Sequence, residues 1–349
     1  MTDLRSKNFR KNLEMIILMV SFEYSRKIPS FSSGYIMKGK NFRASVMKFP
    51  TLYEKPFPGT ETVEVYQFEP KEKPVGSLML LHGLGTINIP FLLWMAIHIA
   101  SAGVTTFVPI LPGNFTRTAN GSVSGRDYFS ADIEKMTRFW EHAVVDALTV
   151  LDLAKENNWW HNNNCLVGYC LGGMISVILT ALSEDFDRTI VITSGGDVAT
   201  LMWKSPTLAY FRRDIARGLG KENRMDDEKS LIENFKKDID RLSSFSSIQQ
   251  MLQSDIHPLL KIDPVAYAKY TQPQKMVFIE ALFDRALPKE TRKILWQALG
   301  KPKKYIIPTG HVTWLPFQYF LGSLVLKEMN IKELKRKFKL LEKPKIEEK

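Results

Sequence analysis

The sequence predicts an α/β fold: a mostly parallel sheet with helices on both faces and a helical insertion ahead of one late strand. Three observations carry this. Continuous apolar runs of strand length, such as Ser77–Leu81, alternate with segments of helical period from Leu78 onward. Near the middle, the apolar run from Asn164 enters the turn Gly168-Tyr169-Cys170-Leu171-Gly172-Gly173 and leaves it as an apolar helix. The alternation then lapses between Gly195 and about Lys261 and resumes at Met276.

Composition bounds what such a chain can be. With 349 residues, 44% hydrophobic and 24% charged, there is enough apolar material for one large core. Two cysteines argue against a disulfide framework or a cysteine-based zinc site and favour a reducing, cytoplasmic compartment. The net charge of +11 lies mostly at the ends: residues 1–43 hold nine Lys/Arg against three Asp/Glu, and residues 327–349 nine against five. A near-neutral body with basic ends lacks the basic stripe that specific nucleic-acid binding needs; the ends read first as solvated or loosely ordered, with weak contact with an acidic membrane surface or nucleic acid as the alternative. The apolar stretch Met15–Val20 is too short to span a bilayer and reads as a helix packed on the body.

In chain order, residues 1–60 read as a basic lead-in, irregular from 21 because of its Ser, Gly and Pro clusters. Thr62–Phe68 alternates as a half-exposed strand, and Ser77–Leu81 is buried on both faces. His82-Gly83-Leu84-Gly85-Thr86 leaves that strand, followed by a helix from Pro90 to Ala100 and a strand from Val104 to Val108. Ser130–Glu156 is one long amphipathic helix with Trp140 and Met136 on its core face. After the central turn and its helix comes the strand from Arg188 to Thr193. A helical insertion over about 197–261 follows, placed to roof a pocket or to serve as a packing or dimer contact. Met276–Ala281 resumes the sheet and delivers Phe283-Asp284-Arg285 into a loop. A helix from Glu290 to Leu299 and a strand from Lys304 to Ile307 lead into Pro308-Thr309-Gly310-His311 and an aromatic helix from Trp314 to about Met329. Residues 61–330 thus form the folded domain and 331–349 a basic tail.

The central turn has the form of a nucleophile elbow. Its middle side chain sits at a strained backbone angle between a crossing strand and helix, so small neighbours are required; Gly168, Gly172 and Gly173 supply the room. Cys170 then projects above a helix amino end, where the dipole favours thiolate and oxyanion alike. Asp284 and His311 each follow a strand, giving the order nucleophile, acid, histidine. Asp197, in Ser194-Gly195-Gly196-Asp197, is the rival acid.

The elbow with Asp284 and His311 in register resembles the dienelactone hydrolase branch of the α/β-hydrolase superfamily, over about Leu78 to Leu326. The resemblance implies the α/β-hydrolase fold and cleavage of a carboxylic ester, thioester or lactone through a Cys-His-Asp triad. The oxyanion-hole donors would be the backbones of Leu84, in the His82-Gly83 loop, and Leu171. The same box resembles the polyhydroxyalkanoate synthases, which would imply acyl transfer, although the Trp expected after the strand at Val104–Pro109 is absent. A non-catalytic binding protein on the same fold is the third reading. The expected partner is a small-molecule ester or thioester, in an apolar pocket lined by the Leu84–Phe91 loop, the insertion and Trp314. No metal or organic cofactor is expected, because six His and two Cys show no ligand spacing and no phosphate-binding Gly-rich fingerprint occurs. Oligomeric state is not readable from the sequence.

Overall fold

The computed structural model describes residues 19–85, 89–221 and 224–331. The expected helix at Met15–Val20 lies outside these except for Met19 and Val20, and so does the basic tail beyond Ile331. Among the described residues nine strands form one sheet: β1 (Ser32–Lys38), β2 (Phe42–Pro50), β3 (Thr62–Pro70), β4 (Gly76–Leu81), β5 (Val104–Pro109), β6 (Asn164–Tyr169), β7 (Arg188–Ile192), β8 (Met276–Ala281) and β9 (Lys303–Ile307). Their order is β1-β2-β3-β5-β4-β6-β7-β8-β9. The pairs from β1 to β5 are antiparallel, and every pair from β5 to β9 is parallel.

Two helical layers cover the sheet. Ile89–Ser101 and Gln318–Glu328 bury Leu92, Met95, Ile99, Leu321 and Val325 against one face. Ile133–Glu156, Leu171–Leu182 and Lys289–Ala298 cover the other. The central strands β4 and β6 are buried at every residue, which is why they read as unbroken apolar runs.

The reading of residues 21–60 as irregular is corrected: β1 and β2 are an antiparallel extension of the sheet, so the domain begins before residue 61. The alternation signal is scrambled for a physical reason. In β2, Phe42 and Ala44 pack into the layer on one face, while Met47 and Phe49, of opposite parity, pack into the layer on the other. A strand that changes its buried face along its length shows neither clean alternation nor a continuous apolar run. In β1 every residue is exposed, so no pattern marks it at all.

Between β7 and β8 the chain is helical, as the lapse in alternation predicts: Val198–Lys204, Ala209–Ala216, Glu228–Arg241, Ile248–Gln253, Pro258–Lys261 and Pro264–Ala268. Their periodicity is weak because most are short, and side-chain caps set their starts. Asp197, Asp227, Ser247 and Asp263 each accept a backbone N–H of the first turn. The aromatic segment expected as one helix from Trp314 is a short 3-10 turn at Leu315–Phe317 followed by the helix from Gln318.

Candidate active site

The three residues singled out in the sequence stand at the carboxyl ends of β6, β8 and β9. Cys170 occupies the turn between β6 and the helix Leu171–Leu182 with φ 52° and ψ −113°, a conformation that L-residues avoid. The turn is locked from several sides. The Cys170 N–H donates to the Ile192 carbonyl at 3.0 Å, and its carbonyl accepts from Ser194 Oγ at 2.8 Å. The glycines are steric necessities: a Cβ on Gly168 would lie 2.2 Å from the Gly172 carbonyl oxygen, and one on Gly172 would lie 2.3 Å from that of Leu81.

His311 and Asp284 are joined by a hydrogen bond of 2.8 Å between Nδ1 and Oδ2. The other oxygen of Asp284 accepts the N–H groups of Ala286 and Leu287, both at 2.9 Å. Burial alone would raise this carboxyl, but the bond and charge of His311 and the backbone N–H donors hold it below the usual carboxylate range. Burial would likewise lower His311, yet the charge of Cys170 and the bonds to Asp284 and Cys170 prevail and push it up to about 10. With Nδ1 engaged by Asp284, the imidazole offers Nε2 to Cys170. Asp197 plays no part in this pair. Its two oxygens accept from Thr200 N–H and Thr200 Oγ1, so it is a helix cap whose carboxyl burial raises.

The histidine loop is fixed by groups that the sequence did not advertise. The His311 carbonyl accepts from Trp314 Nε1 at 2.8 Å and from Tyr169 OH at 3.3 Å, and the Tyr169 ring packs edge-on against Trp314. Trp314, expected on the pocket wall, is 1% exposed and braces His311 from behind. Its indole is too bulky and too apolar to stay at the surface once an N–H acceptor lies inside.

The loop after β4 is held just as firmly. His82 is buried, accepts the Leu111 N–H at Nε2 and donates through Nδ1 to the Gly83 carbonyl at 2.7 Å. Burial lowers it to about 4, so it stays neutral and structural. Asn114, also buried, accepts the Gly85 N–H on its side-chain oxygen at 3.2 Å. Leu84 thus sits between two pinned residues, and Leu171 supplies a first-turn amide of the elbow helix. Of the Leu84–Phe91 loop, residues 86–88 lie outside the described part. The insertion reaches both sides of the site: Ser205 Oγ donates to the Ala286 carbonyl beside Asp284, and Asp214 pairs with Arg126 at 2.7 Å beyond the Asn114 loop.

Cys165, the other cysteine, is wholly buried in β6, and burial pushes its thiol up. A cleft of about 750 Å³ lined by Tyr53, Arg138 and Glu141 holds none of the three residues. Among the described residues, no group of three or more His, Cys, Asp or Glu is placed to hold a metal ion, and no helix is long and apolar enough to cross a membrane.

Residues 63–198 match the dienelactone hydrolase family, a stretch that includes Cys170 and ends before Asp284 and His311. No curated protein matches the chain significantly in sequence. Among solved structures, the chain is similar to an acetyl xylan esterase from a Paenibacillus species, with a TM-score of 0.61, 12% identity, and 87% of this chain and 89% of that one covered. Acetyl xylan esterase 1 from a Thermoanaerobacterium species gives 0.55 and 16%, over 88% and 89% of the chains. A cold-adapted esterase from an Arctic intertidal metagenomic library gives 0.52 and 12%, over 87% and 100%. At such identities the likeness speaks for the fold. The chain thus has the α/β-hydrolase fold, and its residues 63–198 are similar to the dienelactone hydrolase family.

Proposed function

We propose that the protein hydrolyses carboxylic esters, thioesters or lactones through a thioester acyl-enzyme on Cys170. The observation that carries the reading is the Asp284–His311 bond of 2.8 Å set beside a cysteine held at the strained elbow angle. His311 holds the proton of the Cys170 thiol, and the thiolate sulfur attacks the carbonyl carbon. The resulting oxyanion is met by the Leu84 and Leu171 N–H groups. When the C–O or C–S bond to the leaving group breaks, His311 returns its proton to the departing oxygen or sulfur, leaving the acyl group on Sγ. A water molecule then attacks the thioester, giving its proton to His311, and the acid departs as the thiol is restored. Asp284 keeps the imidazole in the tautomer that presents Nε2 and stabilises its charged form.

The test is a panel of p-nitrophenyl esters of increasing chain length, read as released free acid, on the native protein and on Cys170→Ala. The native protein should turn over and Cys170→Ala should not, and brief exposure to substrate should leave an acyl mass on the peptide bearing Cys170. Turnover that survives Cys170→Ala unchanged would falsify the mechanism. Growth of a polyester from hydroxyacyl thioesters, in place of free acid, would move the reading to acyl transfer.

A further inference from the structure

The loop that carries Asp284 runs from the end of β8 at Ala281 to the helix that begins at Lys289. A carboxylate on a loop is aimed only as well as the main chain on either side of it is held. Here one side chain holds both sides. Arg292, one turn into the helix Lys289–Ala298 and buried, donates from Nη1 to the Ala281 carbonyl and from Nε to the Leu287 carbonyl, each at 3.2 Å. Those two residues are among the ones that grip Asp284. The Asp284 N–H donates to the Ala281 carbonyl at 3.4 Å, and the Leu287 N–H donates to Asp284 Oδ1 at 2.9 Å. That arrangement leaves Asp284 Oδ2 for His311. The guanidinium is itself held by Glu280, whose other oxygen pairs with Lys304.

We infer that Arg292 is a positioning residue for the reaction: by bridging the Ala281 and Leu287 carbonyls it fixes the loop that aims Asp284 Oδ2 at His311 Nδ1; this rests on the Cys-His-Asp reading of the site. A planar guanidinium with donors at fixed angles can hold two carbonyls at a set separation, which a lysine ammonium, a point charge on a flexible stem, cannot. Charge works in the same direction. Burial acts to raise the Asp284 carboxyl, and the Arg292 charge stands with the bond and charge of His311 and the Leu287 N–H among the influences that lower it. An arginine present only to pair with Glu280 would need neither carbonyl bond, and Glu280 already has Lys304 as a partner.

The experiment compares the native full chain with Arg292→Lys, which keeps the charge and loses the fork, and with Glu280→Gln, which removes the carboxylate and leaves both carbonyl bonds in place. Arg292→Lys should lower kcat for p-nitrophenyl acetate about tenfold with KM within about twofold, because a displaced imidazole loses alignment and not substrate binding. It should also slow alkylation of Cys170 by iodoacetamide at pH 7 by about threefold or more. In a His311→Ala background the same substitution should leave alkylation unchanged, because Asp284 then has no imidazole to aim. An arginine that only supports the fold would slow alkylation equally in both backgrounds. Glu280→Gln should lower the melting temperature yet leave kcat and alkylation within about twofold of native. The inference is overturned if Arg292→Lys keeps the native kcat and alkylation rate, if its slowing persists without His311, or if Glu280→Gln reproduces the loss. It is overturned too if Arg292→Lys does not fold, since the residue then belongs to the fold and not to the aim of Asp284. Absence of p-nitrophenyl acetate turnover in the native protein would count against the esterase reading alone, because alkylation is read without an ester.

Discussion

At the scale of single residues, the proposed chemistry rests on how Cys170, His311 and Asp284 share charge. His311 keeps its proton up to about pH 10 because the charge of Cys170 and the bonds to Asp284 and Cys170 outweigh its burial. At neutral pH the imidazolium therefore stands beside the sulfur. His311→Ala should slow alkylation of Cys170 by iodoacetamide at pH 7 by about tenfold or more. The gap between native protein and variant should narrow as the pH approaches 10, where His311 gives up its proton. A rate at pH 7 indifferent to the substitution would rule out the pairing. Cys165→Ser should leave both alkylation and turnover intact, because that thiol is sealed inside β6. Cys170→Ser should retain weak turnover, since the same base can draw the proton of a hydroxyl.

At the scale of elements, one carboxylate staples the two ends of the insertion. Asp263 is wholly buried; one oxygen accepts the Val198 N–H at the start of the helix Val198–Lys204, and the other accepts the Val265 N–H in the helix Pro264–Ala268. Burial raises its carboxyl to about 7, against the two N–H donors that lower it. In the unfolded chain the group titrates near 3.9, so the folded state holds the proton more tightly. Its stabilisation is therefore fully present below pH about 3.9 and is lost as the pH rises through 7. The melting temperature of the native protein should exceed that of Asp263→Ala by more at pH 5 than at pH 8; a difference that grows with pH would contradict the assignment. The same insertion shows how far periodicity reaches. Ser247 and Asp227 are recognisable caps once the helix boundaries are known, yet in short helices they are too common to draw those boundaries unaided.

At the scale of the molecule, a buried ion pair fastens the first third of the chain to the centre. Arg117 Nη2 lies 2.7 Å from Asp146 Oδ2 with both side chains 3% exposed, and the same guanidinium donates to the carbonyls of Ile110 and Thr60. Asp146, on the helix Ile133–Glu156, also accepts from Thr51 Oγ1 and lies 3.2 Å from His142 Nε2. Burial would raise its carboxyl, but Arg117 and His142 overcome that and lower it to about 2. This contribution is present above the ordinary aspartate range and fades as the pH falls through 2. Asp146→Ala should cost about 3–5 kcal/mol in urea unfolding at pH 7, because it strands a buried guanidinium. Replacing both partners, as Arg117→Met with Asp146→Leu, should cost less than that single change. Equal costs would show that the pair is not energetically coupled.

By itself the sequence determined the parallel half of the sheet, the elbow and the order of Cys170, Asp284 and His311. Each of these is written locally: in apolar runs buried on both faces, in glycines that a turn cannot do without, and in polar residues just past strand ends. It left Asp197 open as the acid, because two strand ends of this fold can present a carboxylate and only the position of His311 in space selects between them. The tertiary structure decided that Asp197 caps a helix and that Asp284 meets the imidazole. It also decided that β1 and β2 join the sheet, since β2 is buried on one face at its start and on the other at its end, a pattern set by the layers it lies between. Trp314 was legible as an aromatic near the site, but whether an indole lines a pocket or braces a loop depends on which carbonyl its N–H finds, and that carbonyl, of His311, is placed by the packing of three elements.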